Sequence, residues 1–368
     1  MIYIFTYLGE FGYELMNWQG TVRKFKETIG TDDKVVICGR KGLEAWYKEC
    51  DQFIDISELQ TFKSTAAAGY TIHPDDFSKY DKVKLEIEQY ALENIDGLRT
   101  EQHKFIFSGD VNNRNDYFNL QFGHSHLDPL GEDIYDRLPL DNNKFTKIIE
   151  NDEKIKKKIE KELGFSLSED YILIQRAWRV YCQRSLVEMD EDLLISKLAE
   201  HMKVVILDFN TGRRADSHSE FDGEIKDNYY SISVDNFKEQ GCLISNASTC
   251  VFFTEGDFRS HIYVPPFMGV NVFSIASREV YQYNFGKNTP IKFWNENVYK
   301  FGGHILPVEW EDCTSNDVYM ENLVKTISSY KKKKAKLRIV THILPWEIDE
   351  FNQSLIQFKK NSYYLGDD

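Results

Sequence analysis

Three short segments carry side chains from which chemistry can be built. In Gly9-Glu10-Phe11-Gly12-Tyr13-Glu14, two glycines allow a tight turn and two carboxylates lie in and just after it. A carboxylate held in such a turn can accept a proton from an attacking hydroxyl, which makes Glu10 and Glu14 the candidate bases. The competing explanation is an acid that merely favours the positive end of a helix dipole. In Gln175-Arg176-Ala177-Trp178-Arg179, followed by Arg184, three arginines fall within nine positions of a chain whose formal net charge is −14. Guanidinium forks suit two-point capture of phosphate or carboxylate, whereas a purely structural reading makes them an interdomain ion-pair network. In the third segment, Thr254–His261, Gly256 supplies a turn, and Ser260 and His261 can donate to anion oxygens. Glu255 and Asp257 would repel the same anion unless a cation meets them, and Arg259 or Arg176 is the obvious partner. A satisfied core histidine is the competing reading of His261.

Each segment sits where a strand is expected to end. Ile2–Phe5 reads as a strand, and Leu15, Trp18, Val22, Phe25 and Ile29 then recur at helical spacing. Lys34–Cys38 and Phe53–Ile56 are further short apolar strands, with a helix expected around 43–49 between them. A charged helix is expected over 81–93 and a strand over 104–108, with long loops from 112 to 143. The charged stretch 150–162 reads as a solvated helical connector. Strands at 171–175, 203–209, 249–254 and 270–275 then alternate with helices at 190–202 and 235–245. Closing helices are expected at 318–330 and 346–359. This alternation indicates βαβ units on parallel sheets, where ligands bind beyond the carboxyl ends of the strands. A glycine turn at such an edge offers backbone N–H groups to an anion. The spacing Gly9-x-x-Gly12 is not the dinucleotide fingerprint, so a nicotinamide enzyme is disfavoured.

Composition narrows the classes. The chain has 368 residues, 42% of them hydrophobic, with 25 Phe, 21 Tyr and 6 Trp, which excludes a disordered chain and suggests two domains. Its acidic balance opposes a general nucleic-acid binder. The basic run Lys331–Lys334 with Lys336 and Arg338 is the one feature that could meet nucleic-acid phosphate or an anionic lipid surface. Six cysteines without a C-x-x-C pair point to a reducing compartment, here the cytoplasm. No window has the length of a membrane span or a signal peptide. His124-Ser125-His126 lacks a convincing third and fourth ligand, so it reads as acceptor-side polarity and no metal site is assigned. Asp190-Glu191-Asp192 superficially matches the D-x-D of metal-dependent glycosyltransferases. At a helix start, capping and dipole explain it better.

Gln175–Ser274 carries a resemblance in the order of its parts: Arg176, Arg184, Asp190-Glu191-Asp192, the helix FKEQGCLISNAS, Glu255-Gly256 and VPPFMG. It resembles the C-terminal half of GT-B glycosyltransferases, nearest to glycosyltransferase family sixty-one. The spacing from Ser260-His261 to Gly269 is also similar to heptosyltransferase-like GT-B enzymes, in several of which a first-turn acid serves as base, as Glu10 would here. The resemblance spans about 100 of 368 residues. It implies donor-nucleotide binding by the second half, with Arg176 and Arg184 as phosphate ligands. Where family sixty-one has an H-G-A turn this chain has Glu255-Gly256-Asp257, so the role of that histidine does not carry over.

The resulting expectation is an α/β chain of GT-B type, two Rossmann-like domains facing a cleft. Residues 1–160 form an acceptor domain, 161–335 a nucleotide-sugar domain and 336–368 a closing helical tail. The expected activity is metal-independent, inverting sugar transfer from a nucleotide-sugar to an acceptor hydroxyl on a glycan or small molecule, with no cofactor beyond that co-substrate. Glu10 and Glu14 are the catalytic candidates. Gly9, Gly12, Arg176, Arg179, Arg184, Glu255, Gly256, Asp257, Ser260 and His261 would serve the donor, and His124 and His126 the acceptor. Transfer of a non-sugar group such as pyruvyl, and an inactive nucleotide- or glycan-binding module, are the alternatives. Sugar transfer onto modified nucleic-acid bases is a special case.

Overall fold

A computed structural model describes residues 1–8, 14–65, 77–107, 146–177, 191–209, 227–234, 236–254, 264–276, 302–310 and 317–330. The chain divides into two compact units, Met1–Thr146 and Lys147–Asp368. The expected long loops at 112–143 and the tail at 336–368 lie outside the described residues, as does the helix at 346–359.

The first unit is built on four parallel strands: β1 (Ile2–Thr6), β2 (Lys34–Gly39), β3 (Gln52–Asp55) and β4 (His103–Phe107). Their order across the sheet is β3-β2-β1-β4. Residues of β1 alternate between two apolar layers, as the strand period of two requires. Ile2 and Ile4 join a core with residues of α2 (Gln60–Thr65) and α3 (Phe77–Asn94). Tyr3 and Phe5 instead meet Phe25 of α1 (Gln19–Thr28) at ring-centroid distances of 4.9 and 5.0 Å. The helix expected from Leu15 onward opens as a wide π-helical turn, Glu14–Trp18, before α1 begins. The side-chain amide of Gln19, the first residue of α1, donates back to the Leu15 carbonyl of that turn at 2.8 Å. The helix expected around 43–49 is a single 3-10 turn, Glu44–Tyr47, which buries Trp46 and Tyr47.

The second unit holds six parallel strands: β5 (Tyr171–Ala177), β6 (Lys203–Phe209), β7 (Tyr229–Val234), β8 (Thr249–Thr254), β9 (Val272–Ala276) and β10 (Ile305–Glu309). Their order is β10-β9-β8-β5-β6-β7. Counted within the unit, this is the doubly wound order 3-2-1-4-5-6 read from its other edge. Helices α5 (Glu191–Ala199) and α8 (Asp317–Ser328) share a core with the Ile172 and Ile174 side of the sheet. On the Tyr171 side, the Tyr171 hydroxyl donates to the Leu243 carbonyl of α6 (Phe237–Asn246).

The stretch expected to be a solvated connector is instead α4 (Glu153–Leu163), part of the second unit. Asp152 caps it by accepting from Lys154 N at 2.8 Å and Ile155 N at 3.2 Å, and Gly164 ends it at φ 75°. Its apolar residues are few, but Ile159 and Leu163 are buried, and Lys158 pairs with Glu239 of α6 at 2.7 Å. The division of the chain therefore falls after Thr146, ahead of this helix and not within it.

Two edge strands escape the sequence reading. Only Ile232 and Val234 of β7 are buried, and β10 carries Pro307, a residue that argues against a strand unless the strand lies at a sheet edge. At the edge is where β10 lies.

Candidate functional site

In each unit the chain lays down three strands to one side and then crosses back, leaving a switch point between the first strand and the fourth. In the first unit β1 and β4 flank it, with Ile2 opposite His103 and Thr6 opposite Phe107. In the second β5 and β8 flank it, with Arg176 opposite Phe253 and Ala177 opposite Thr254. The arginine segment leaves from Ala177 and the Glu255–His261 segment from Thr254. Both therefore start from neighbouring positions on one sheet edge, although they are far apart in the chain. The Gly9–Glu14 segment follows β1 after Tyr7 and Leu8.

Arg176 is described by its backbone in β5. Gly9, Glu10, Gly12, Arg179, Arg184, Glu255, Gly256, Asp257, Ser260 and His261 lie outside the described residues, as do His124 and His126. Glu191 and Asp192 occupy the first turn of α5, where acidic residues complement the dipole.

Glu14 is the one catalytic candidate whose side chain is described, and it is 1% exposed. Its Oε2 forms an ion pair with Arg40, and its Oε1 accepts from the Tyr47 hydroxyl at 2.8 Å. Burial pushes the Glu14 carboxyl above its ordinary range, opposed by the positive charge of Arg40 and the hydrogen bonds from Tyr47 and Arg40. Burial, with the Glu14 charge beside it, likewise holds the Tyr47 phenol well above its ordinary value. With both oxygens engaged, Glu14 is a tether more than a proton acceptor.

The elements explain how these groups meet. Arg40 follows β2 directly, and its guanidinium lies 5.7 Å from the ring centroids of both Tyr7 and Phe62. Tyr47 is carried by the 3-10 turn, which Arg23 of α1 pins by donating to the Trp46 carbonyl. Arg23 also pairs with Glu49 at 2.9 Å and reaches Gln19. Neither Arg40 nor Tyr47 was singled out by the sequence. A signal for Arg40 existed, because an arginine close to the end of a short apolar strand is the pattern that marked Arg176.

In the second unit, several residues that carried the resemblance are packing residues. Asn236 caps α6 by accepting from Glu239 N at 3.2 Å, and Cys242, Leu243 and Ile244 are buried. VPPFMG forms the short helix α7 (Val264–Phe267), with all four of its residues buried, and a following turn in which Gly269 has φ 77°. A Cβ at Gly303 would stand 2.5 Å from Pro266 Cα, so the lead into β10 lies directly on this turn. Cys38, Cys50, Cys242 and Cys250 are free thiols, and burial pushes the first three up to about 12.

Compared with family models and with curated protein sequences, the chain shows no match. Among solved structures it is similar to a family 9 glycosyl transferase from Veillonella parvula, with 9% identity, 98% of this chain and 97% of that one covered, and a TM-score of 0.46. It is also similar to ADP-heptose LPS heptosyltransferase II of E. coli, at 10% identity, covering 74% of this chain and 84% of that one, with a TM-score of 0.43. A third is the UDP-GlcNAc 2-epimerase of Methanocaldococcus jannaschii, at 13% identity, covering 97% and 100%, with a TM-score of 0.40. These similarities assign no residue. No helix among the described residues is long and apolar enough to cross a membrane.

Proposed function

We propose that this chain is a metal-independent, inverting glycosyltransferase of GT-B type, acting in the cytoplasm. The second unit binds the nucleotide-sugar, with its diphosphate met by Arg176, Arg179, Arg184, the turn at Gly256 and Ser260-His261. Glu10 of the first unit takes the proton of an acceptor hydroxyl as that oxygen attacks the anomeric carbon. The bond from the anomeric carbon to the donor phosphate breaks, and the nucleotide leaves with the electron pair. Guanidinium and N–H donors stabilise the charge that develops on it. His124 and His126 belong to the acceptor side, and the acceptor is a glycan or another small molecule bearing a hydroxyl.

The observation that carries this reading is the register of β5 with β8, in which Ala177 lies opposite Thr254. It starts the two anion-binding segments from adjacent strand ends at a switch point, the edge at which ligands of open α/β sheets bind. Glu14 is assigned a holding role, and Glu10 is the base.

The test is thermal unfolding against UDP, GDP, ADP, CDP, dTDP and CMP, with and without EDTA. A nucleotide present at about 100 times its dissociation constant adds about 2.7 kcal/mol, a shift of a few degrees. One nucleotide class should shift the midpoint, insensitively to EDTA, and Arg176→Ala should abolish the shift. Glu10→Gln should leave the shift intact and cut turnover on the order of 100-fold or more. The absence of any shift would sink the reading. Product mass separates sugar transfer from transfer of a pyruvyl group.

A further inference from the structure

Two glutamines of the second unit are buried among apolar neighbours with their amides unbonded. Gln175 of β5 is 8% exposed, and the sheet register places it between Leu207 of β6 and Phe252 of β8. No described residue hydrogen-bonds to its side chain. Gln240 of α6 is 2% exposed, and its Nε2 has no hydrogen-bond partner among the described residues. A buried amide left unpaired costs stability, so two of them in one layer require a reason.

That they share a layer follows from the packing of α6. Gln175 is on the same face of the sheet as Tyr171, four residues earlier in the strand. α6 lies on that face, held by the bond from the Tyr171 hydroxyl to the Leu243 carbonyl. Around the helix, Glu239 meets Lys158 of α4, and the Ser245 hydroxyl accepts from Glu150 N at 3.4 Å. Those contacts occupy two sides of α6, which turns Gln240 and Ile244 towards the sheet. The helix joins the end of β7 to the start of β8 and so runs against the strands. Beyond its last residue, Ser248 N donates to the Tyr171 carbonyl at 2.9 Å. Gln240, near the start of α6, therefore lies towards the carboxyl edge of the sheet, and Gln175 is two residues from that end of β5.

An amide carries a donor and an acceptor side by side, the pattern found on the hydrogen-bonding edge of a nucleobase. Leu207 and Phe252 make the surroundings apolar, which suits a flat ring. A phosphate would need positive charge, and neither glutamine supplies it. We infer that Gln175 and Gln240 form the subsite that recognises the base of the donor nucleotide. The inference rests on the reading of the second unit as the donor domain.

The experiment is thermal unfolding of the full-length protein against UDP, GDP, ADP, CDP, dTDP and CMP, with pyrophosphate as a probe that lacks a base. Gln175→Met and Gln240→Met each keep the length of the side chain and remove the amide. Each should raise the concentration of the preferred nucleotide needed for a given shift about tenfold, and narrow its lead over the others. The response to pyrophosphate should stay unchanged. The midpoint without ligand should hold or rise, since an unpaired polar group has left the interior. Either variant tests the inference by itself should the other fail to fold. An unaltered nucleotide response, or equal weakening towards nucleotide and pyrophosphate, overturns the inference and leaves the donor reading standing. Loss of folding in both variants overturns it too, because it makes the amides structural. No shift of the unmodified protein with any nucleotide overturns the donor reading and the inference together.

Discussion

Burying a carboxylate costs several kcal/mol unless a partner meets its charge, and Glu14 has two partners in Arg40 and Tyr47. The pair is therefore stable as a pair and fragile in halves. Arg40→Met alone should destabilise the first unit by about 3–5 kcal/mol, because it strands a buried carboxylate. Combining it with Glu14→Leu should restore most of the loss. Urea unfolding of both single variants and the double gives the coupling, and simple additivity would show that the two side chains do not depend on each other. In the sequence, Glu14 is visible only as an acid near a glycine turn, readable as a dipole partner or as a base. What decides its role is Arg40 and Tyr47, brought to it by β2 and the following turn, and no local pattern around residue 14 contains them.

At the scale of elements, β5, β6, β8 and β9 were legible because central strands of a parallel sheet are apolar on both faces. The edge strands of the second unit, β7 and β10, were not. One face of β7 is largely open to solvent, and β10 contains Pro307. Charge concealed the packing of α4, since its two buried residues are diluted by lysines and glutamates. The lead into β10 also carries a pH dependence. His304, whose backbone N–H donates to Asn271 Oδ1 at 3.0 Å, is depressed by burial to about 4. A histidine held neutral in the fold and titrating near 6.5 when unfolded contributes stability above pH 6.5 that is lost as the pH falls towards 4. The loss is at most about 3 kcal/mol. Urea midpoints measured from pH 7 to pH 4 should fall more steeply for the unmodified protein than for His304→Gln. Parallel curves would remove His304 as the source.

For the molecule as a whole, two α/β units on parallel sheets were legible from the alternation of strands and helices, because that periodicity is local. The place where the chain divides was not, because it depends on α4 packing against α6. If the second unit binds the donor, a stabilising nucleotide should slow amide hydrogen exchange in β5 and β8 far more than in β1 and β2. Equal protection of both sets, or protection of the first unit alone, would move the donor site out of the second unit. The strand order has one more consequence, for the order in which the protein can take shape. β1 needs both β2 and β4, and Ile2 does not meet His103 until the chain has been synthesised that far. β5 likewise waits for Thr249 before its second edge is paired. Such distant pairings make for slow folding and leave the first strand of each unit open to other chains meanwhile. During synthesis, β1 and β5 are therefore the segments that most need shielding, although in the finished protein both are interior strands.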